Sequence, residues 1–167
     1  MRTEAEKAYT AGIVDGEGSI FIRFRLRERG RHGISHEFTT SISIANTNKD
    51  MLHWLQRIWN LDTKLLFRKG NEKNKDVWTL RVENKHAIRL MLNEILPYLI
   101  IKRKNAELLL DFINHREERL NVSSKLPVGQ RFCGADNYEL IAVEQMRGLN
   151  ARGLKRWGHD KKEKDKP

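Results

Sequence analysis

Residues 19–29 read SIFIRFRLRER and alternate almost without a break. Ile20, Ile22, Phe24 and Leu26 share one parity. Arg23, Arg25, Arg27 and Arg29 share the other, behind a lead-in of Ser19 and Phe21. A period of two is the mark of a β-strand, here with an apolar back and a cationic front. Such a strand must bury one side and leave the other to an anionic partner, because arginines aligned on one strand face repel one another. Gly30-Arg31-His32-Gly33 supplies a hairpin tip, and a return strand is expected over 37–45. In that strand Phe38, Thr40, Ile42 and Ile44 face one way, and Thr39, Ser41 and Ser43 the other.

The rest of the chain alternates helices with strands. Ala5, Ala8, Tyr9, Gly12 and Ile13 recur at helical spacing over 3–15, before Gly16 and Gly18. Asn48 is placed to cap a helix over 49–60 with Met51, Leu52, Leu55, Ile58 and Trp59 as its apolar stripe. Strands are expected over 64–69 and 77–82, joined by a charged loop. In the second of these, Trp78, Leu80 and Val82 oppose Val77, Thr79 and Arg81. Asn84 caps a helix ending near Pro97. Another spans 102–119 with Ala106, Leu109, Leu110 and Ile113 inward, and a last one spans 137–148. The expected fold is one α+β domain over residues 1–154, an antiparallel four-stranded curved sheet with helices on its apolar face. The lysine-dense tail over 155–167, including Lys161, Lys162, Lys164 and Lys166, is expected to be disordered. Trp54, Trp59 and Trp78 stand at apolar parities and are expected in the core.

Charge narrows the function. The 167 residues include 32 Lys and Arg against 22 Asp and Glu, a formal net charge of +10. That excess favours a polyanion: nucleic acid first, an acidic membrane surface second. No apolar run reaches membrane-spanning length, and residues 1–7 carry no signal-peptide core. Cys133 is the single cysteine, so no internal disulfide forms and an intracellular, DNA-associated location is expected. His32 and His36 lack the cysteine partners and helical context of a zinc site and are expected at the surface or against the nucleic acid. The polar sheet face, with Arg23, Arg25, Arg27, Arg29, Thr39, Ser41, Ser43, Thr79 and Arg81, joined by Arg68 and Lys69 at the end of the third strand, suits the DNA major groove. That groove admits a β-ribbon, and arginine pairs bidentately with guanine in it.

The segment TAGIVDGEG, residues 10–18, is physically odd. Asp15 and Glu17 stand at the C-terminal end of a helix, where the dipole disfavours negative charge. A divalent cation would reverse that cost, since Mg²⁺ takes hard oxygen ligands from few carboxylates. Small residues at Ala8, Ala11, Gly12 and Gly16 would allow a second helix to approach closely.

This segment resembles the signature of the LAGLIDADG homing endonucleases, with Thr10 where leucine is usual and Glu17 where aspartate is common. The strand that follows and the element order to about Leu110 fit the same family. The resemblance implies its αββαββα domain. It also implies site-specific, Mg²⁺- or Mn²⁺-dependent hydrolysis of DNA at a long, near-palindromic target, leaving short 3′ overhangs, by an intron-encoded enzyme. It makes Glu17 the metal-binding acid, with Gly16 offering its backbone carbonyl. Asp15, Gly12 and Ala11 become helix-end and interface residues. The motif occurs once, and single-motif members of the family are homodimers on double-stranded DNA. LPYLIIKRKNA, residues 96–106, resembles the stretch that carries a catalytic-site lysine and assigns that role to Lys102. IANTN, residues 44–48, matches where a water-organising amide stands, which assigns it to Asn46, with Thr47 one register away; turn and capping duty explains these residues equally well. An intron maturase that binds RNA, and a non-cleaving DNA-binding regulator, remain open as alternatives on the same scaffold.

Overall fold

The computed structural model describes residues 2–28, 34–72, 74–127, 130 and 134–151. The chain runs α1 (Glu4–Glu17), β1 (Gly18–Glu28), β2 (Ile34–Asn46), α2 (Lys49–Trp59), β3 (Leu66–Arg68), β4 (Val77–Val82), α3 (Lys85–Ile95), α4 (Arg103–Ser124) and α5 (Asn137–Asn150). A 3₁₀ turn at Leu96–Tyr98 joins α3 to the segment before α4. The expected αββαββα order is present, followed by two further helices. Arg29, the hairpin tip with His32, Cys133 and the tail over 155–167 lie outside the described residues.

Local chemistry sets the helix ends. Thr3 and Glu6 form a reciprocal capping box at the start of α1. Asn48 and Asn84 accept the amides of Met51 and Ala87, as their spacing predicts. Helix α1 runs two residues beyond the expected end and takes in Glu17. Gly18 then turns the chain directly into β1, and a Cβ there would lie 2.5 Å from the carbonyl oxygen of Val14. Only glycine allows so abrupt a passage from helix to strand. Asn60 closes α2 in the left-handed region at φ 49°.

The sheet is antiparallel in the order β1-β2-β4-β3. Its register puts Ile20 beside Ile42, Ile22 beside Thr40, and Ile44 beside Leu80. These even-numbered positions face the helices and join Leu52, Leu55, Ile88, Leu92, Leu109 and Phe112 in one core. Helix α5 covers β1 on the same side, burying Ala142, Val143 and Met146. The helical layer stops short of the hairpin's outer half, so Leu26, expected in the apolar back, is 61% exposed. Trp59 is buried, whereas Trp54 and Trp78 are only partly covered and pack against Tyr9 and Phe67.

Two details revise the sequence expectations. Thr10, the unusual first residue of the motif, is fully buried. Its hydroxyl donates to the Glu6 carbonyl at 2.7 Å and accepts the indole N–H of Trp59 at 3.1 Å, so the polar substitution carries no unsatisfied group. His36 faces the helical side instead of the surface or the polar front. Its Nδ1 accepts the Ala135 amide at 2.7 Å, and its ring meets Phe24 edge-on, holding the start of α5 against β2.

Candidate active site

The C-terminus of α1, the end of β2, the start of α4 and the end of α5 meet around a concavity of about 400 Å³. Glu17, Ser19 and Ser43 line it from the motif and the sheet, Ile101, Lys102 and Asn105 from the start of α4, and Asn150 from α5. The carboxylate of Glu17 is exposed at the lip and makes no hydrogen bond or ion pair among the described residues. A carboxylate at the negative end of a helix is disfavoured by the dipole, and Glu17 has no direct ion pair among the described residues to offset it. Among the described residues no three His, Cys, Asp or Glu side chains cluster. The donor set at this spot is one carboxylate beside backbone carbonyls. That fits a hard, mostly hydrated cation such as Mg²⁺ and would not suit a caged transition metal.

Asp15 behaves in the opposite way. Its two oxygens accept the backbone amides of Ile100 at 2.8 Å, Ile101 at 3.2 Å and Lys102 at 2.8 Å. Lys102 in turn donates from Nζ to the Asp15 carbonyl. The motif's two acids therefore separate. One is spent inside the protein, and the other is left open.

Behind the concavity, Asn105 donates to Asn150 Oδ1 at 3.1 Å, and Asn150 donates to the Ile20 carbonyl at 2.9 Å. Sequence reasoning missed both. The signal for Asn105 was a polar residue beside the apolar stripe of α4, where it is 4% exposed. Asn150 lies beyond the expected end of the last helix and carried no signal.

From this end the polar face of the sheet extends outward. Register aligns Ser19 with Ser43, Phe21 with Ser41, Arg23 with Thr39, Arg25 with Glu37, and Arg27 with Ser35. Arg81 lies beside Ser43, Thr79 beside Ala45 and Leu66, and Val77 beside Arg68. Arg23, Arg25, Arg27, Arg68 and Lys69 are exposed, and Thr39, Ser43, Thr79 and Arg81 are half-buried. The arginine row is eased in two places. Glu37 lies 3.7 Å from Arg27, and the Arg23 guanidinium sits over the Phe21 ring.

Three expected site residues stand elsewhere. Ser41 belongs to the polar face by register but is 0% exposed, with its hydroxyl unpartnered beneath its neighbours. Ala11 is buried in the core of its own chain and turned away from the open side of α1. Asn46 shares the helical face with Trp78, and its Oδ1 accepts the Asn48 amide at 2.8 Å. It does not line the concavity. Gly12 and Gly16 lie on the open side of α1, where an added Cβ would meet nothing within 4 Å. Tyr9 is exposed on the same helix, and Ile100 and Ile101 project from the adjoining loop.

A family model described as LAGLIDADG endonuclease matches residues 10–115, from the motif through the first half of α4. The chain belongs to the LAGLIDADG endonuclease family. Solved structures share its fold. The homing endonuclease I-CvuI, solved with a DNA target in the presence of Mg, is 21% identical, with 92% of this chain and 87% of that one covered at a TM-score of 0.63. The archaeal intron-encoded homing endonuclease I-Vdi141I, complexed with DNA, is 12% identical over 92% and 89% of the two chains, also at 0.63. The group I intron-encoded I-CeuI, complexed with DNA, is 14% identical over 95% and 72%, again at 0.63. No curated protein matches the chain by sequence. Among the described residues no helix is long and apolar enough to cross a membrane. The LAGLIDADG match stops within α4, so α5 and the clasp that Asn150 makes on β1 lie outside it.

Proposed function

We propose that this LAGLIDADG chain is a site-specific DNA endonuclease that acts as a symmetric homodimer on a long, near-palindromic duplex. The observation that carries the reading is Glu17: an exposed carboxylate with no hydrogen bond or ion pair among the described residues, beside Lys102, at the root of a cationic sheet face. In this reading the sheet lies in the major groove. Arg23, Arg25, Arg27 and Arg68 reach base edges and phosphates, and Thr39, Ser43 and Thr79 add hydrogen bonds. Lys102 holds positive charge near the scissile phosphate, where charge develops on the transferring oxygens. Ser19 and Ser43, on the floor between them, offer hydroxyls to water.

Glu17 and the Gly16 carbonyl would hold a divalent cation, Mg²⁺ or Mn²⁺. Such an ion, when bound, polarises the phosphate and lowers the pKa of attached water. The open side of α1 supports the dimer. Tyr9, Gly12 and Gly16 present a face that a second copy of α1 can approach closely, and Ile100 and Ile101 offer apolar area beside it. Each subunit then cuts one strand. Intron encoding agrees with two structural neighbours, I-Vdi141I and I-CeuI, which are intron-encoded.

The test is cleavage of a randomised duplex library with Mg²⁺, against EDTA and Glu17→Gln controls. A short set of near-palindromic cut sites, lost in both controls while binding to the same sites survives, is the expected result. Tight binding without cleavage by the unaltered chain would replace this reading with a non-cleaving nucleic-acid binder.

A further inference from the structure

We infer that Asp15 is a positioning residue, which delivers Lys102 to the site by anchoring the backbone that enters α4. The inference rests on the endonuclease reading above. Helix α4 lacks a cap of its own: Lys102 occupies the N-cap position and makes no side-chain cap hydrogen bond. The first amides of a helix need acceptors, and its positive end favours an anion. Asp15 places an anion at that end from 85 or more positions earlier in the chain, held by the amides of Ile100, Ile101 and Lys102, the segment that leads into the helix.

The reverse contact completes the pair. Helix α1 has no basic residue in its last turn. Its C-terminal carbonyls lack partners within the helix, and the Lys102 ammonium reaches the Asp15 carbonyl. The end of α1 and the segment entering α4 thus hold each other, and the residue pair doing so stands two places from Glu17 on one side and includes Lys102 on the other.

The intervening segment has little else to hold it. The Ile100 and Ile101 side chains are 87% and 73% exposed, so apolar burial does not fix their backbone. The anchors are buried Leu99 behind, with Arg103 donating to the Leu99 and Pro97 carbonyls, and Asp15 in front. Three amides converging on one carboxylate therefore decide where Lys102 sits relative to Glu17. An asparagine at position 15 is nearly isosteric but would turn an N–H₂ group toward backbone donors and lose part of the anchor.

The experiment compares Asp15→Asn, Lys102→Met and the double variant, each as the full chain. Readouts are single-turnover cleavage, DNA affinity, oligomeric state and hydrogen exchange at amides 100–102. Asp15→Asn is expected to slow cleavage by about 10²-fold, the scale of a misplacement near 1 Å. Affinity and oligomeric state should hold, while amides 100–102 lose protection. Asp15→Glu, which keeps the carboxylate, should recover part of the rate. The double variant should be within about threefold of Lys102→Met, since residues acting as one unit are not additive. Wild-type cleavage by Asp15→Asn, unchanged exchange at those amides, or full additivity in the double variant would each overturn the inference. If the unaltered chain cuts no duplex, the endonuclease reading fails and takes this role for Lys102 with it.

Discussion

Two regions of this molecule handle acidic side chains in opposite ways. At the end of α1, Glu17 is exposed and has no hydrogen-bond or ion-pair partner among the described residues. In the seam between α4 and α5, Glu139 is 0% exposed and fully engaged. Arg116 and Arg119 meet its two oxygens at 2.5 and 2.8 Å, and the Asp136 amide adds a third bond. Asp136 itself takes the Glu139 amide and pairs with His115 and Arg119. Burial pushes the Asp136 carboxyl up, but the Glu139 amide, His115 and Arg119 outweigh it and hold the group below its ordinary value. A buried acid completely paired by its own chain holds two helices together. An exposed acid at the C-terminal end of a helix, with no ion pair among the described residues, adds nothing to the fold by its charge, which agrees with the ligand role proposed for Glu17.

The comparison breaks most sharply at Glu139. Glu139→Gln keeps the shape but takes the carboxylate from half-buried Arg116 and leaves Arg119 to Asp136, and should cost about 3 kcal/mol in urea unfolding. A loss below about 1 kcal/mol would make the seam incidental and remove the contrast. Arg25→Ala comes next. It should weaken DNA binding by about 1–3 kcal/mol and relax sequence choice at one base pair, while stability stays within about 0.5 kcal/mol. Unchanged affinity and base preference would take Arg25 off the recognition face.

Glu17→Gln should change stability with the opposite sign to Glu139→Gln. Removing negative charge from a helix C-terminus should raise stability by about 0.3–1 kcal/mol, read at low salt without added divalent ions. A destabilised variant would show that Glu17 serves the fold after all.

The smallest effect concerns pH. Asp136 binds protons less readily folded than unfolded. Its contribution is therefore fully present above the ordinary value of 3.8 and is lost as pH falls through the lower folded value. Asp136→Asn should flatten the acid limb of the stability curve, measured by urea midpoints down the pH scale. An acid limb identical to that of the unaltered chain would place the acid sensitivity elsewhere.

Much of this was readable from the residues. The period-two pattern after Ser19 predicts β1, and the unbroken parity of Ile20 and Ile22 against Arg23 and Arg25 assigns its two faces. Asn48 and Asn84 announce their helices, because a cap is a contact between residues three apart. The motif string named the family and drew attention to Glu17, as the stretch LPYLIIKRKNA did to Lys102, and the fold brings the two to one concavity across 85 positions.

Other features depend on contacts that no local pattern encodes. Leu26 has the parity of a core residue, yet the helices end before reaching it. Ser41 has the parity of a groove residue, yet its neighbours cover it. Ala11 and Gly12 are adjacent small residues, and only the direction of helix packing decides that one enters the core and the other stays open. Asn46 has the right residue type for the site but the wrong face of the sheet. Asp15 was expected only as a helix-end and interface residue, and the segment before α4, 85 positions on, is what occupies both of its oxygens. The sequence by itself determined the elements, the caps, the two-sided sheet and the motif, because each rests on spacings within a turn or along one strand. The tertiary structure decided which acid is free and which is consumed, because that depends on what another helix, far along the chain, brings within hydrogen-bond distance.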